Sequence, residues 1–400
     1  MDPSNGLDGT MDIAIKDSHI STVSRTIDPD DAKEVYDARG QLVTPGLVDL
    51  HVHGYHLATP LGVNMDHYSL GRGVTTVVDA GSAGCSTFPG FRSFAVERFS
   101  TRMLAFLNIS CCGLSFATIS GNQTLGELES IKLLDTQGCI DCINENRDVL
   151  VGVKVRLSDD LADNGQNEAE AYLRALQAAK EVALPLMVHH TFSTVPLEDC
   201  PGKMSEGDIY THCFHGFRST IIDRTSRNIN PVVRHARDRG VRFDIGHGMG
   251  AFSWTVAEIC AAEGFWPDVI STDLHSMTAD GPAYDMPTVM TRLLHVGMPM
   301  KSVIEASTIT PAKSIGWDDR IGSLGVGRKA DITVLEHQEV AIDLEDCQSQ
   351  MRRINQRLVA KAVWRAGKKF AITHPQHWPN PETIEKYRPL QQRLEIKDLA

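Results

Sequence analysis

Residues 46–54, GLVDLHVHG, end an apolar run with two histidines one residue apart and a glycine directly behind them. In a β-strand, side chains two apart share a face, so Asp49, His51 and His53 project together, the two imidazoles from the strand's carboxyl end. A neutral imidazole offers a lone pair to a divalent cation, and a solitary one serves equally well as a hydrogen-bonded core residue. These two have company. Lys154 in VGVKV, His189 in LMVH, His212 in IYTH and Asp273 in ISTD all stand at or near the ends of other apolar runs. Lys154 alternates with Gly152 onto one face, and an ammonium aimed into a protein interior without a counter-ion is costly. An unmodified Lys154 would have to reach the rim or pair with Asp273.

Bringing such residues together demands strands whose carboxyl ends meet. Eight runs qualify: 46–53, 74–80, 102–110, 149–155, 184–189, 208–212, 242–247 and 268–273. Amphipathic stretches separate them, such as QNEAEAYLRALQAAKEVA (166–183), where Ala171, Leu173, Ala175, Leu176 and Ala179 give a mostly apolar stripe. The alternation predicts an α/β fold, a (β/α)8 TIM barrel, with a doubly wound open sheet as the alternative. In a barrel, the strands' carboxyl ends form the active-site mouth. Short strand-and-turn patterns in residues 11–44 and strand candidates at 330–336 and 358–370 predict a small β-sandwich domain built from both ends of the chain. The expected division is residues 1–45 and 320–370 for the small domain, 46–319 for the barrel, and 371–400 for a polar, proline-containing tail with room for one short helix.

The His-x-His pair on the first strand, lysine on the fourth, histidines on the fifth and sixth and aspartate on the eighth resemble the binuclear branch of the amidohydrolase superfamily. PGLVDLHVHG, GVTTVVDAG, VGVKVR, DIGHG, STDLH and GSLGVGRKADITVLE resemble its dihydroorotase-like deacetylase subgroup, over residues 4–370. The resemblance implies that Lys154 is carboxylated by carbon dioxide and that its carbamate bridges two divalent metal ions, zinc foremost. His51, His53 and Asp273 would hold one ion, and His189 and His212 the other. Carboxylation turns an unpaired cation into a bidentate anion, which the metals' opposing charge holds buried. Two such ions about 3.5–4 Å apart share a water and acidify it, giving hydroxide near neutral pH. The implied reaction is attack on a metal-polarised carbonyl, with Asp273 carrying the proton to the leaving group. Family members carry an additional strand before the segment resembling DPSNGLDG, which here begins at residue 2. The expected consequence is an exposed sheet edge, a looser small domain, or a start site set too far downstream.

Neighbouring residues have two readings each. Arg156 is placed to clamp a substrate carboxylate or to form a structural salt bridge. His247 and His275 are substrate-side groups or structural hydrogen bonders. His190 should face away from His189's side of its strand, leaving it as the alternative ligand, and His215 should lie at the rim or directly behind the ligands. The small-residue loop DAGSAGCS (79–86) would let a ligand approach backbone NH groups, or is a plain tight turn. GSLGVGRKAD (322–331) leads into a strand-like segment, so it lacks the helix N-terminus that a phosphate loop requires.

With 39 basic and 51 acidic side chains, the net charge is −12, which disfavours nucleic acid and anionic membrane surfaces as partners. No signal-peptide or membrane-span pattern is visible, and nine irregularly spaced cysteines suit a reducing, cytoplasmic setting. Cys139 and Cys142 form a C-x-x-C without a second pair at zinc spacing; this pair, like Cys111 and Cys112, reads as small core residues. A small-molecule substrate is therefore expected, with a homo-oligomer left open. The leading function is removal of a small acyl group from an amide or ester of a hydroxy acid or amino acid, followed by cyclic amide hydrolysis. A non-catalytic scaffold is disfavoured by the intact set of six candidate ligands.

Overall fold

The computed structural model describes residues 1–116 and 125–375, so most of the expected tail lies outside the described residues. Strands β1 (Asp12–Lys16) and β2 (His19–Ser24) form an antiparallel pair. After β3 (Leu42–Pro45), the chain enters the first barrel strand, β4 (Leu47–Val52). There follow β5 (Val74–Gly84), β6 (Arg102–Asn108), β7 (Leu150–Leu157), β8 (Leu186–His190), β9 (Ile209–Thr211) and β10 (Arg242–Phe243). These seven strands pair in sequential order, all parallel.

Residues 268–274 close the ring. They bridge one edge through Asp244 and Val269 and the other through Val52 and Leu274, both parallel. Backbone bonds from His53 N to Leu274 O (2.9 Å) and from Ile245 N to Val269 O (3.1 Å) hold both seams. Contact with both edges makes a closed TIM barrel and removes the open-sheet alternative. The seventh strand is shorter than its apolar run, and the eighth consists of isolated bridges. Gly246 (φ 46°), Gly248 (φ 51°) and Asp273 (φ 47°) take left-handed backbone there, which no ladder tolerates.

Leu50, Val78, Leu104, Val151, Met187 and Ile209 come from six different strands yet share one apolar cluster. Only the interior of a ring brings such residues together, so this cluster is the plug beneath the mouth. On the outside, the helix Glu168–Val182 buries Ala171, Tyr172, Ala175, Ala178, Ala179 and Val182. The apolar stripe is thus rotated from the expected one: Leu173 is 62% exposed and Tyr172 faces the core.

β11 (Ile332–Glu345), β12 (Met351–Arg365) and β13 (Lys368–Phe370) join β3 in an antiparallel sheet ordered β13-β12-β11-β3. Ile13, Ile15, Ile20 and Val23 of the β1–β2 pair cluster with Val43, Ile332 and Trp364 of this second sheet, making a small sandwich. β11 and β12 extend well beyond their sequence-based bounds, and the turn joining them reaches the barrel. There Cys347 N donates to Phe252 O (3.1 Å), and Asp346 Oδ2 accepts from Trp254 N (3.0 Å). All nine cysteines are free thiols. Among the described residues, no helix is long and apolar enough to cross a membrane.

Candidate metal centre

Strand β4 delivers His51 and, one step beyond its end, His53, while Val52 between them packs into the outer core. Opposite stands Asp273 on the closing segment; donor atoms of His51, His53 and Asp273 all lie within 4.8 Å of one another. Asp273 Oδ1 is 3.4 Å from His51 Nε2 and 3.1 Å from His53 Nε2, yet it forms no hydrogen bond. His189, at the end of β8, and His212, just past β9, lie with ring centroids 4.2 Å apart. The His212 ring is 4.9 Å from that of His51, so it links the two groups. Lys154 on β7 is buried, and its Nζ has no hydrogen-bond partner.

The imidazoles are held from behind. His51 Nδ1 lies 3.0 Å from Thr211 Oγ1, and His53 Nδ1 lies 2.9 Å from Ser82 Oγ. His212 Nδ1 is 2.6 Å from Gly246 O, an acceptor only, so Nδ1 carries the proton and the partnerless, buried Nε2 presents a lone pair. His189 Nε2 contacts Thr191 Oγ1 at 2.8 Å, leaving Nδ1 for the centre. His212 (φ 66°) and Asp273 (φ 47°) both adopt the left-handed backbone that non-glycine residues rarely occupy. Such strain persists where surrounding structure fixes it, as it does at functional sites.

Electrostatics keeps this set ready for cations. Burial, with the nearby Lys154 charge adding to it, pushes His51 and His212 well below the usual histidine range. Burial and the neighbouring His212 do the same to His189. Burial lowers His53 to about 4 despite the opposing Asp79 charge. All four rings are therefore neutral at pH 7. Burial also brings the Lys154 amine down to about 7, against the attraction of Asp273 and Asp244, and raises Asp273 to about 6. Among the described residues, Lys154 Nζ, His212 Nε2 and Asp273 Oδ1 have no hydrogen-bond partner. Imidazole nitrogens and a carboxylate oxygen crowded this closely, without protons between them, form the donor set that a zinc-like divalent ion takes.

Other expected residues divide. Arg156 spends its fork on the buried Glu127: Nε donates to Oε1 (2.8 Å) and Nη2 to Oε2 (2.6 Å). The salt-bridge reading therefore describes its geometry. His275 lies beside the site, its ring 6.1 Å from His53, and its Nδ1 accepts from Met277 N. His247 stacks on Phe252 at 5.1 Å, its Nδ1 2.9 Å from Gly248 O and its Nε2 unpartnered. His190 does face away, between Tyr210 Oη (3.0 Å) and Val195 O (2.8 Å). His215 Nδ1 accepts from Phe217 N, and the residue is fully buried rather than at the rim. Asp49 commits both oxygens to Thr272, through its N (3.0 Å) and Oγ1 (2.6 Å), and so buttresses the backbone beside Asp273.

Residues 79–84 are strand rather than loop: β5 continues to Gly84, Ser82 backs His53, and Gly81 lies against the Lys154 stem. The supporting hydroxyls and carboxylates, Thr211, Ser82, Asp79 and Asp244, escaped the sequence reading. Their only local trace is their place inside GVTTVVDAG, DAGSAGCS, IYTH and DIGHG, next to the residues that drew attention.

A sequence model described as the amidohydrolase family matches residues 42–369. A deacetylase of Brucella anthropi is 35% identical over 87% of this chain and 85% of its own length. A deacetylase of Agrobacterium fabrum is 36% identical over 84% of this chain and 81% of its own. A crystal structure described as a dihydroorotase aligns with a TM-score of 0.83 at 32% identity, covering 92% of this chain and 96% of its own. One described as an adenine deaminase gives 0.84 at 30% identity, covering 90% and 96%.

Proposed function

Because the chain belongs to the amidohydrolase family, we propose that it is a metal-dependent hydrolase of the deacetylase kind, releasing a small acyl group from an amide or ester. The observation that carries this reading is the convergence of four neutral imidazoles, Asp273 and an unpartnered buried lysine at the barrel mouth. His51, His53 and Asp273 would hold one divalent ion, most readily zinc, and His189 and His212 a second, with Lys154 between them as a carbamate. A neutral amine is what adds to carbon dioxide, and burial supplies it near pH 7. When bound, the cations would acidify a water and polarise the substrate carbonyl.

The chain's own residues do the rest. The Asp273 carboxylate, raised to about 6, is matched to take a proton from the attacking water and return it to the departing nitrogen or oxygen. His247 Nε2 and His275 are the substrate-side groups in this reading. Arg156 keeps one nitrogen, Nη1, outside its Glu127 fork for a substrate carboxylate, which favours acylated hydroxy acids and amino acids. The acidic balance and free thiols support a cytoplasmic setting.

The test is metal analysis of the purified protein followed by a screen of acetylated hydroxy acids, N-acyl amino acids and cyclic amides. About two divalent ions per chain and turnover of acyl compounds are expected. Turnover confined to cyclic amides would replace the deacetylase reading with a ring-opening one. Failure to take up metal after zinc and bicarbonate addition would overturn the hydrolase altogether.

A further inference from the structure

Asp244 follows the two-residue strand β10 and is completely buried, yet among the described residues no charged side chain pairs with it at hydrogen-bond distance. Its carboxylate instead accepts two hydroxyls, Ser271 Oγ on Oδ1 and Thr211 Oγ1 on Oδ2, each at 2.6 Å. Thr211 Oγ1 in turn lies 3.0 Å from His51 Nδ1, whereas His51 Nδ1 and Asp244 Oδ2 are 3.7 Å apart, too far for a direct bond. We propose that Asp244 is a positioning residue for His51, acting through the Thr211 hydroxyl. The inference rests on the reading of this site as a cation centre.

A hydroxyl has one hydrogen, and a carboxylate only accepts. With its hydrogen given to Asp244, Thr211 Oγ1 can meet His51 only as an acceptor. His51 Nδ1 must then carry the ring proton, and Nε2 turns a lone pair toward Asp273 Oδ1, 3.4 Å away. Without the carboxylate, the hydroxyl is free to rotate and donate to Nδ1, and the ring then presents Nε2–H to the cation's place. Asp244 thus sets the polarity of the relay, as well as reaching across three segments, β9, β10 and residues 268–274. His53 has a similar backing in Ser82, beside Asp79. There, however, Asp79 also accepts Gly54 N and Ser82 N at 2.7 Å each, a turn-holding task that accounts for its burial by itself. Asp244 has no backbone amide among its partners, so the His51 relay is the sharper case.

A structural role would lower stability without changing tautomer, so the experiment measures zinc affinity by chelator competition alongside the melting temperature of the metal-free protein. Thr211→Val should weaken binding of one ion by about ten- to a hundredfold, and Thr211→Ser should restore it. Asp244→Asn, which keeps the side-chain volume, should show a loss of similar size and covers the case in which Thr211→Val does not fold. Ser271→Ala removes the other hydroxyl on the same carboxylate and should leave zinc affinity near that of the parent. Equal losses in Ser271→Ala and Thr211→Val, or parental affinity in both Thr211→Val and Asp244→Asn, would overturn the relay. A parent protein that takes up no zinc would instead overturn the cation-centre reading, so the two failures are distinguishable.

Discussion

Lys154 is a buried amine whose charged form is disfavoured by its surroundings. The amine has no hydrogen-bond partner among the described residues, and the attraction of Asp273 and Asp244 offsets its burial only in part. Burial lowers it to about 7, so the neutral, carbon-dioxide-reactive form dominates above that pH and the ammonium below it. At fixed carbon dioxide pressure, carboxylation of the metal-free protein should therefore slow by about tenfold for each pH unit below 7, as set by the amine fraction. Isotope-labelled carbon dioxide followed by carbon NMR reads this directly: no carbamate signal would remove the carbamate, and a rate independent of pH would remove the lowered Lys154 amine as its cause. Lys154→Ala should bind no metal, and should regain it in part when a short carboxylic acid is supplied in the carbamate's place. At this scale the sequence was informative because strand alternation exposes residue type: His51, His53, Lys154, His189, His212 and Asp273 each interrupt or end an apolar run, and the fold gathers them. Arg156 with Glu127, and His51 with Thr211, were not legible, because such pairs join segments 29 to 160 residues apart whose proximity only the closed ring creates.

Among the elements, Gly81 within β5 and Gly248 after β10 determine how closely backbone can approach the centre. A Cβ on Gly248 would stand 2.4 Å from Asp273 Oδ2, and one on Gly81 would stand 2.7 Å from Lys154 Cγ. At Gly248, φ 51° is a left-handed value that alanine tolerates for about 1 kcal/mol. Gly248→Ala should therefore fold, with the added methyl displacing the Asp273 carboxylate. A drop in cation affinity of at least about tenfold is expected, comparable to the loss of a supporting contact, with only a small change in melting temperature. Parental affinity in a folded Gly248→Ala protein would show that the carboxylate has room to spare. The same glycines explain why the seventh and eighth apolar runs looked like full strands but pair so briefly. Apolar composition records burial, whereas left-handed turns at Gly246, Gly248 and Asp273 decide where the ladder stops. The opposite error occurred at β11 and β12. The outer stretch of β11 alternates half-buried and exposed positions and that of β12 is largely the same, over polar sequence, and that polarity concealed a half-solvated hairpin.

That hairpin binds the whole molecule into one unit. Leu344, Ile354, Leu358 and Ala360 belong to the same apolar cluster as Val256, Val289 and Leu293 on the barrel's helices. Polar contacts fasten it along its length: the Trp254 indole donates to Leu344 O (3.2 Å), and Thr291 Oγ1 accepts from Leu358 N (2.9 Å). Asp346 gathers Trp254 N, Gln348 N and Gln350 N at 3.0, 2.7 and 2.9 Å, joining the turn to the start of the helix Trp254–Ala262. A shared core of this kind predicts that barrel and sandwich unfold together. Removing the shared acceptor in Asp346→Ala leaves buried amides unsatisfied and should cost about 2 kcal/mol or more. The effect should appear as one transition moved to lower temperature, seen alike by calorimetry and by tryptophan fluorescence. The tip also touches the site itself, because Cys347 Sγ lies 3.5 Å from the carbonyl of Gly248, the glycine that crowds Asp273. Asp346→Ala should consequently weaken cation binding as well as stability. Two resolved transitions in the parent protein, or a destabilised variant with unchanged cation affinity, would show that the hairpin merely rests against the barrel.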